Sequence, residues 1–479
     1  MIVVAYNAAA TLQGVLDRIP QEFWSRCAGV WVSDDFSVDE THTLAQEWSL
    51  RNSHHPLTVV RQEANLGYGG NQKAGYRWAI QEGLDAVVLL HGDGQYAPEI
   101  VGDIVEPVTT GAADVVLGSR MMVPGHARKG GMPLYKVVGN RILTRTQNRV
   151  TGADLSEWHS GYRAYRVSAL AAVPFEAASD GFSFDTEILL QLMSHQARVV
   201  EIPIPTYYGD EVCHVNGLSY ARDVVRATIA WRAQQRGFGD GHLASVGDNY
   251  AVHDDPRTVH AQLLRRTSEL KPGDVLDLGC AGGHLAAAMR EQGHYVTGVD
   301  LRESDGVRER VDELVVHDLS QGLPPLDGTY DLVVAADVLE HLPRPDLLLA
   351  QARQVLRPGG RMLISVPNVS HAYPRLRTAL GQFGYDQRGI LDATHLRFFT
   401  RTSFERMLRR AGLGIVSVQA LAVPADLLGG SRTIGALQQW GLKLAPRLLA
   451  YQFLAEVVVP AHRPATSTPP EVDTPDSRA

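Results

Sequence analysis

The strongest constraint on the fold is a recurring run of three to five largely apolar residues that ends in a small or acidic turn. A strand apolar on both faces must be covered on both faces. In the first half of the chain such runs fall at residues 2–4, 30–33, 57–60, 86–90 and 114–117. In the second half they fall at 275–278, 295–299, 332–334 and 362–366. Helical stretches separate the runs, so each series predicts a parallel sheet sandwiched by helices. Residues 237–256 are rich in Gly and Asp, lack apolar periodicity, and read as a linker. A chain of 479 residues exceeds one compact core. Two α/β domains are therefore expected, at 1–236 and 257–460. Residues 461–479 carry four prolines among Ser, Thr and Asp, and are expected to form a disordered tail.

Charge and cysteine usage exclude several classes. With 45 Lys and Arg against 53 Asp and Glu the net charge is −8, and no long basic block occurs, so nucleic-acid binding is not expected. The three cysteines, Cys27, Cys213 and Cys280, lack CxxC spacing, which argues against a disulfide framework or a structural zinc site and suits a reducing cytoplasm. Met1 runs straight into a strand, and no apolar run of 18 residues occurs. The chain is expected to be neither secreted nor membrane-spanning.

Asp34 and Asp35 directly follow the run at 30–33, at the carboxyl end of a parallel strand, where α/β sheets bind ligands. They can grip a base and ribose; a solvated turn is the alternative. The run at 86–90 ends in His91-Gly92-Asp93-Gly94-Gln95-Tyr96. Hard divalent cations favour oxygen ligands, which makes Asp93 and Gln95 candidate metal ligands with His91 beside them. A metal on a diphosphate would stabilise a departing nucleotide, and this gives Asp93 a catalytic part.

These segments, in order, are Val3-Val4-Ala5-Tyr6-Asn7, Ser33-Asp34-Asp35, Asn65-Leu66-Gly67-Tyr68-Gly69-Gly70-Asn71 and the Asp93 segment. Gly118-Ser119-Arg120, His159-Ser160-Gly161-Tyr162-Arg163, Phe184-Asp185-Thr186-Glu187 and Glu201-Ile202-Pro203-Ile204-Pro205 follow. Together they resemble a family 2 glycosyltransferase of the dolichol-phosphate-mannose-synthase-like branch, over about residues 1–232. The resemblance implies a GT-A nucleotide-sugar-binding fold, inverting transfer, and Mg or Mn held by an Asp-x-Asp pair whose first member here is His91. It also implies a nucleotide-sugar donor held by Asn7, Asp34, Asp35, Gly67, Arg120 and Arg163. The acceptor is a polyprenyl phosphate or a glycan.

Residues 120–149 hold seven Lys or Arg and no Asp or Glu, a local positive field suited to phosphates. Arg141, Arg145 and Arg149 share one helix face, for which a solvated face and a phosphate or lipid-headgroup contact are both open. Asp185 or Glu187 is a candidate base for an acceptor hydroxyl; a helix-start carboxylate is the alternative. A polyprenyl phosphate acceptor needs no strong base. Residues 219–236 read as a helix with Arg222, Arg226, Arg232 and Arg236 on one arc, broken by Val225 and Ile229. Packing with snorkelling arginines is the main reading, with peripheral contact at the inner face of a membrane kept open.

In the second series, Asp277-Leu278-Gly279-Cys280-Ala281-Gly282-Gly283 is a strand entering a glycine-rich turn, and Asp300 ends the next strand about twenty residues on. That is where an acidic group meets ribose hydroxyls. His317-Asp318-Leu319 offers a carboxylate to an adenine amino group. With residues 331–342 and Leu356-Arg357-Pro358-Gly359-Gly360 following in order, the stretch 250–460 resembles a class I S-adenosylmethionine-dependent methyltransferase of Rossmann-like α/β fold. The resemblance assigns S-adenosylmethionine binding to Asp277, Gly279, Ala281, Gly283, Asp300, Asp318 and Leu319. His341 is a candidate base, with a packing histidine as the alternative, and His395 stands in a comparable position. The combined expectation is a bifunctional transferase that moves a sugar to a lipid-phosphate or glycan acceptor and methylates a related intermediate. In the alternative, one domain is catalytic and the other is a regulatory or docking module.

Overall fold

The computed structural model describes residues 1–207, 216–244, 258–423 and 440–460. The chain divides into two compact units, Met1–Gly247 and Asp248–Ala479.

The first unit is built on seven strands: β1 (Ile2–Ala5), β2 (Val30–Asp34), β3 (Leu57–Arg61), β4 (Ala86–His91), β5 (Val115–Ser119), β6 (Arg163–Arg166) and β7 (Val199–Pro203). Their order is β3-β2-β1-β4-β6-β5-β7. Successive side chains leave β1 on opposite faces. Ile2 and Val4 join a cluster with Trp31, Tyr76 and Leu89. Met1, Val3 and Ala5 join another with Leu12, Leu16 and Val32. The sheet is mixed, not parallel as expected, because β6 runs antiparallel to both β4 and β5. Its two arginines hid it from an apolar-run reading, yet Arg163 is fully buried between the buried strands.

The second unit also has seven strands: β8 (Asp274–Leu278), β9 (Tyr295–Asp300), β10 (Glu313–Val316), β11 (Tyr330–Ala336), β12 (Leu356–Pro367), β13 (Gly414–Leu421) and β14 (Gln452–Val458). Their order is β10-β9-β8-β11-β12-β14-β13. Here too the sheet is mixed, since β14 is antiparallel to β12 and β13. In both sheets the chain winds outward to one side and then crosses to the other, between β1 and β4 and between β8 and β11. Such a reversal leaves a crevice at the carboxyl ends of the strands.

Residues 237–244, placed in the linker on sequence grounds, differ from that expectation. Gln234 accepts hydrogen bonds from the main-chain amides of Leu243 (2.7 Å) and Ala244 (3.2 Å), and both residues are buried in the first core. The rest of that segment, the tail at 461–479 and Cys213 lie outside the described residues. Among the described residues no helix is long and apolar enough to cross a membrane.

Candidate functional site

In the first unit, β2 delivers Asp34 and Asp35 to the crevice, both buried. Asp34 Oδ2 lies 3.6 Å from Arg61 Nε. Asp35 is committed locally: its two oxygens accept the amides of Leu66 (2.7 Å) and Gly67 (3.1 Å), which anchors the start of the helix Gly67–Gln81. Burial raises its pKa. Asn7 adopts a positive φ of 48°, and its Oδ1 accepts the Val38 amide at 3.0 Å, so it ties the β1 turn to the loop after β2. Of the residues assigned to the donor, Asp35, Asn7 and Gly67 thus brace the crevice wall as well as border it.

Beyond β4, Asp93 Oδ1 accepts the Gln95 amide at 3.0 Å, and both side chains are half-buried. The His91 ring packs edge-on to Tyr68 and Tyr96. It sits so close to Gly161 that a Cβ there would fall 2.5 Å from His91 Cε1. Burial lowers the His91 pKa and raises that of Tyr68 well above its usual value. A protonated Tyr68 donates to Asp185 Oδ2 at 2.7 Å, so at 3.2 Å it accepts from His91 Nε2, leaving Nδ1 for a cation.

Asp185 and Glu187 both lie in the first turn of the helix Phe184–Ser194 and are buried, but they do different things. Asp185 Oδ1 accepts from Gln72 at 3.2 Å, so this carboxylate joins the His91–Tyr68 chain. Glu187 accepts the Ser183 hydroxyl and the Ser179 amide, each at 2.8 Å, and holds the loop before its own helix. Tyr68 and Gln72 were not singled out in the sequence. Their i, i+4 spacing on one helix was the available signal, but their partner is more than a hundred residues away.

Two arginines of these motifs are held inside the fold. Arg163 is fully buried and donates to the carbonyls of Ser160, Asp185 and Trp158 at 2.7, 2.6 and 2.8 Å. Through these bonds it stiffens the floor of the site. Arg120 is also buried and paired with Glu157. Burial pushes the Glu157 carboxyl up, but Arg120 and a bond from Asn140 hold it below its usual range. The basic trio does face outward. On the helix Leu134–Thr151, Arg141, Arg145 and Arg149 are exposed beside exposed Leu134, Val138 and Ile142.

In the second unit, Gly279 (φ +73°) lets the turn after β8 pass close to Val338, whose Cγ2 would lie 2.5 Å from a Cβ at this position. Asp300 Oδ2 accepts the Ala281 amide at 2.8 Å and fixes the turn, while Gly283 starts the helix His284–Glu291. Asp277 is buried, its Oδ2 has no hydrogen-bond partner, and burial with the nearby Asp300 pushes its pKa up to about 7. Asp318 caps a short turn through the Ser320 amide at 2.9 Å. Leu319 buries its side chain in the core with Leu276 and Val299, so only its main chain can face a ligand. Asp337, at φ +54°, accepts from Ser365 and from Gln452, each at 2.7 Å. Just after it come Glu340 and His341, and the loop carrying His395 is pinned to them: the Leu396 and Arg397 amides donate to the Glu340 carbonyl at 2.8 and 2.9 Å.

Residues 1–173 match the family Glycosyl transferase family 2, and residues 252–418 match Methyltransferase domain. The first part is similar to the undecaprenyl-phosphate mannosyltransferase of Micrococcus luteus, with 31% identity over 205 residues, covering 42% of this chain and 81% of that protein. It is also similar to the polyprenol monophosphomannose synthase of Mycolicibacterium smegmatis, with 28% identity over 209 residues, covering 43% of this chain and 75% of that one. The second part is similar to the ubiquinone biosynthesis O-methyltransferase of Chromobacterium violaceum, with 30% identity over 178 residues, covering 34% of this chain and 74% of that protein.

Proposed function

Because the chain belongs to the family 2 glycosyltransferases over its first part and to the methyltransferases over its second, we propose that it is a bifunctional transferase. One domain moves a sugar from a nucleotide-sugar donor to a polyprenyl phosphate or a glycan. The other passes a methyl group from S-adenosylmethionine to a related glycan or lipid-linked intermediate. The observation that carries this reading is the presence, in two separate sheets, of acidic groups gathered at the carboxyl ends of the strands beside each switch point: Asp34, Asp35 and Asp93 in one, Asp277 and Asp300 in the other. The acceptor class rests on the names of the relatives and on the outward apolar and basic face of the helix Leu134–Thr151.

In the sugar-transfer site Asp34 and Asp35 border the donor's base and ribose, and Asp93 and Gln95 would hold Mg or Mn. The donor set fits such an ion: it joins a half-buried carboxylate, an amide and a neutral imidazole at one strand end. When bound, the ion supplies charge stabilisation to the departing nucleoside diphosphate. The acceptor oxygen attacks the anomeric carbon from the opposite side. Where that oxygen belongs to a hydroxyl, Asp185 is positioned as base, oriented by Tyr68 and Gln72.

In the methyl-transfer site the closeness of the Gly279 turn to Val338 and the unpartnered Asp277 Oδ2 fit an adenosine cofactor carrying a cationic tail. S-adenosylmethionine supplies the methyl group as an electrophile. Asp300 holds the turn and would meet the ribose hydroxyls, and Asp318 would accept from an adenine amino group. Alignment of donor and acceptor is the main task left to the protein.

The test is nucleoside diphosphate release from a panel of nucleotide sugars, with Mg or Mn, with and without polyprenyl phosphate. Release that requires the lipid, is lost in Asp93→Ala, and leaves methylation by that variant intact is the expected result. Unchanged release in Asp93→Ala would remove Asp93 from the metal site, and no release with any pair would overturn the glycosyltransferase half.

A further inference from the structure

The most unusual cluster outside the sugar-transfer site stands at the end of β11. Glu340 is 1% exposed, and neither of its carboxylate oxygens has a hydrogen-bond partner. Leaving such a group buried and unsatisfied costs stability unless something else occupies it. Two imidazoles face it: one ligand atom each from Glu340, His341 and His395 lies within 4.8 Å of the others. The two rings meet edge-on, with centroids 4.8 Å apart.

The hydrogen bonds around these rings decide which nitrogen carries the proton. His395 Nδ1 faces the Ile390 carbonyl at 3.2 Å, and a carbonyl only accepts, so Nδ1 is the protonated nitrogen. The Thr394 hydroxyl gives its one proton to Asp392 Oδ1 at 2.7 Å, so it accepts from His341 Nδ1 at 3.1 Å. In both histidines the Nε2 lone pair is therefore left bare, the tautomer set by an outer partner as in metal-binding histidines. The main-chain bonds from Leu396 and Arg397 to the Glu340 carbonyl hold the three side chains together.

We propose that Glu340, His341 and His395 form a binding site for a divalent transition-metal ion, such as Zn, Mn, Fe or Co, beside the methyl-donor crevice. Two imidazoles and one carboxylate favour these ions over Mg or Ca. Its place follows from Val338, which contacts the Gly279 turn and precedes Glu340 by two residues. Three protein ligands leave room for water or for an oxygen of the molecule to be methylated. That last clause rests on the methyltransferase reading; the metal site itself does not.

The test uses the full chain without a histidine tag, carrying Asp93→Ala to remove the other candidate metal site, stripped with a chelator and titrated with Co²⁺ alone. The expected result is one equivalent bound, with a visible ligand-field spectrum. Glu340→Gln, His341→Gln and His395→Gln should each weaken binding by more than the ~10–100-fold typical of losing an outer partner. His341 is partly exposed, so its variant should keep the fold, checked by unchanged thermal unfolding and S-adenosylhomocysteine binding. A silent spectrum at saturating Co²⁺, as a proton relay would give, overturns the site, and so does an affinity unchanged in His341→Gln and His395→Gln. Co²⁺ binding in a chain with no methylation of any acceptor would leave the metal site standing and the functional reading in difficulty.

Discussion

Two carboxylates two residues apart, Asp185 and Glu187, have opposite parts because of what donates to them. Glu187 accepts a main-chain amide and a hydroxyl of its own loop. Glu187→Gln puts an NH₂ where an acceptor is needed and should cost about 1–3 kcal/mol of stability in denaturant unfolding, with the turnover of sugar transfer largely kept. Asp185→Asn also sets an NH₂ against a donor, Tyr68 or Gln72, and should cost a comparable amount of stability, but with a hydroxyl acceptor its turnover should fall by about 10²-fold or more. Asp277 is the residue with the plainest pH signature. Its folded pKa, pushed up to about 7 by burial and Asp300, lies above the 3.8 of an ordinary aspartate. The raised value favours the protonated folded state, so this contribution is fully present below about 4 and is lost as pH rises toward about 7, on the order of 4 kcal/mol in all. Other carboxylates, such as Asp114, whose arginine partners lower its pKa, act in the opposite direction. The comparison is therefore wild type against Asp277→Asn: unfolding of the cofactor-free chain followed from pH 4 to 8 should lose this slope in the variant. Binding of S-adenosylmethionine, a cation at its sulfonium, should tighten through pH 7 in wild type only.

At the scale of elements, the strands buried on both faces were legible, since β1, β2, β4, β5, β8, β9, β11 and β12 are each rich in apolar residues. β6 was not, because Arg163 is buried by three carbonyl bonds that only the tertiary structure supplies. β10 and β13 are edge strands with mixed faces, and their periodicity is weak. The site was legible in the same uneven way: strand-end acids such as Asp34, Asp93, Asp277 and Asp300 follow from position, whereas the Tyr68–Asp185 and His341–His395 pairings are long-range contacts that no spacing announces. The helix Leu134–Thr151 carries the element-scale prediction. Its exposed Leu134, Val138 and Ile142 lie beside Arg141, Arg145 and Arg149, an arrangement that suits the interface of an anionic bilayer. Ile142→Glu should reduce co-sedimentation of the full chain with anionic vesicles and leave its binding of nucleotide sugar unchanged. Equal sedimentation of variant and wild type would show that this face meets water alone.

At the scale of the whole molecule, each hydrophobic cluster among the described residues lies within one unit. Ile2, Trp31 and Leu243 share one cluster and Val3, Leu12 and Ile204 another, while Leu276, Val333 and Phe453 share a third and Val259, Val296 and Leu454 a fourth. Cooperativity follows the core, so heating the full chain should give two calorimetric transitions, one for each unit. A ligand that binds only one folded unit stabilises that unit alone. S-adenosylhomocysteine at about 100 times its dissociation constant adds about 2.7 kcal/mol, which for a unit of this size raises its midpoint by roughly 5–10 °C. A nucleoside diphosphate with Mn should move the other transition and leave this one in place. A single transition that shifts as a whole with either ligand would mean that the two sites are coupled, and sugar transfer would then have to be measured with the methyl-donor site filled and empty.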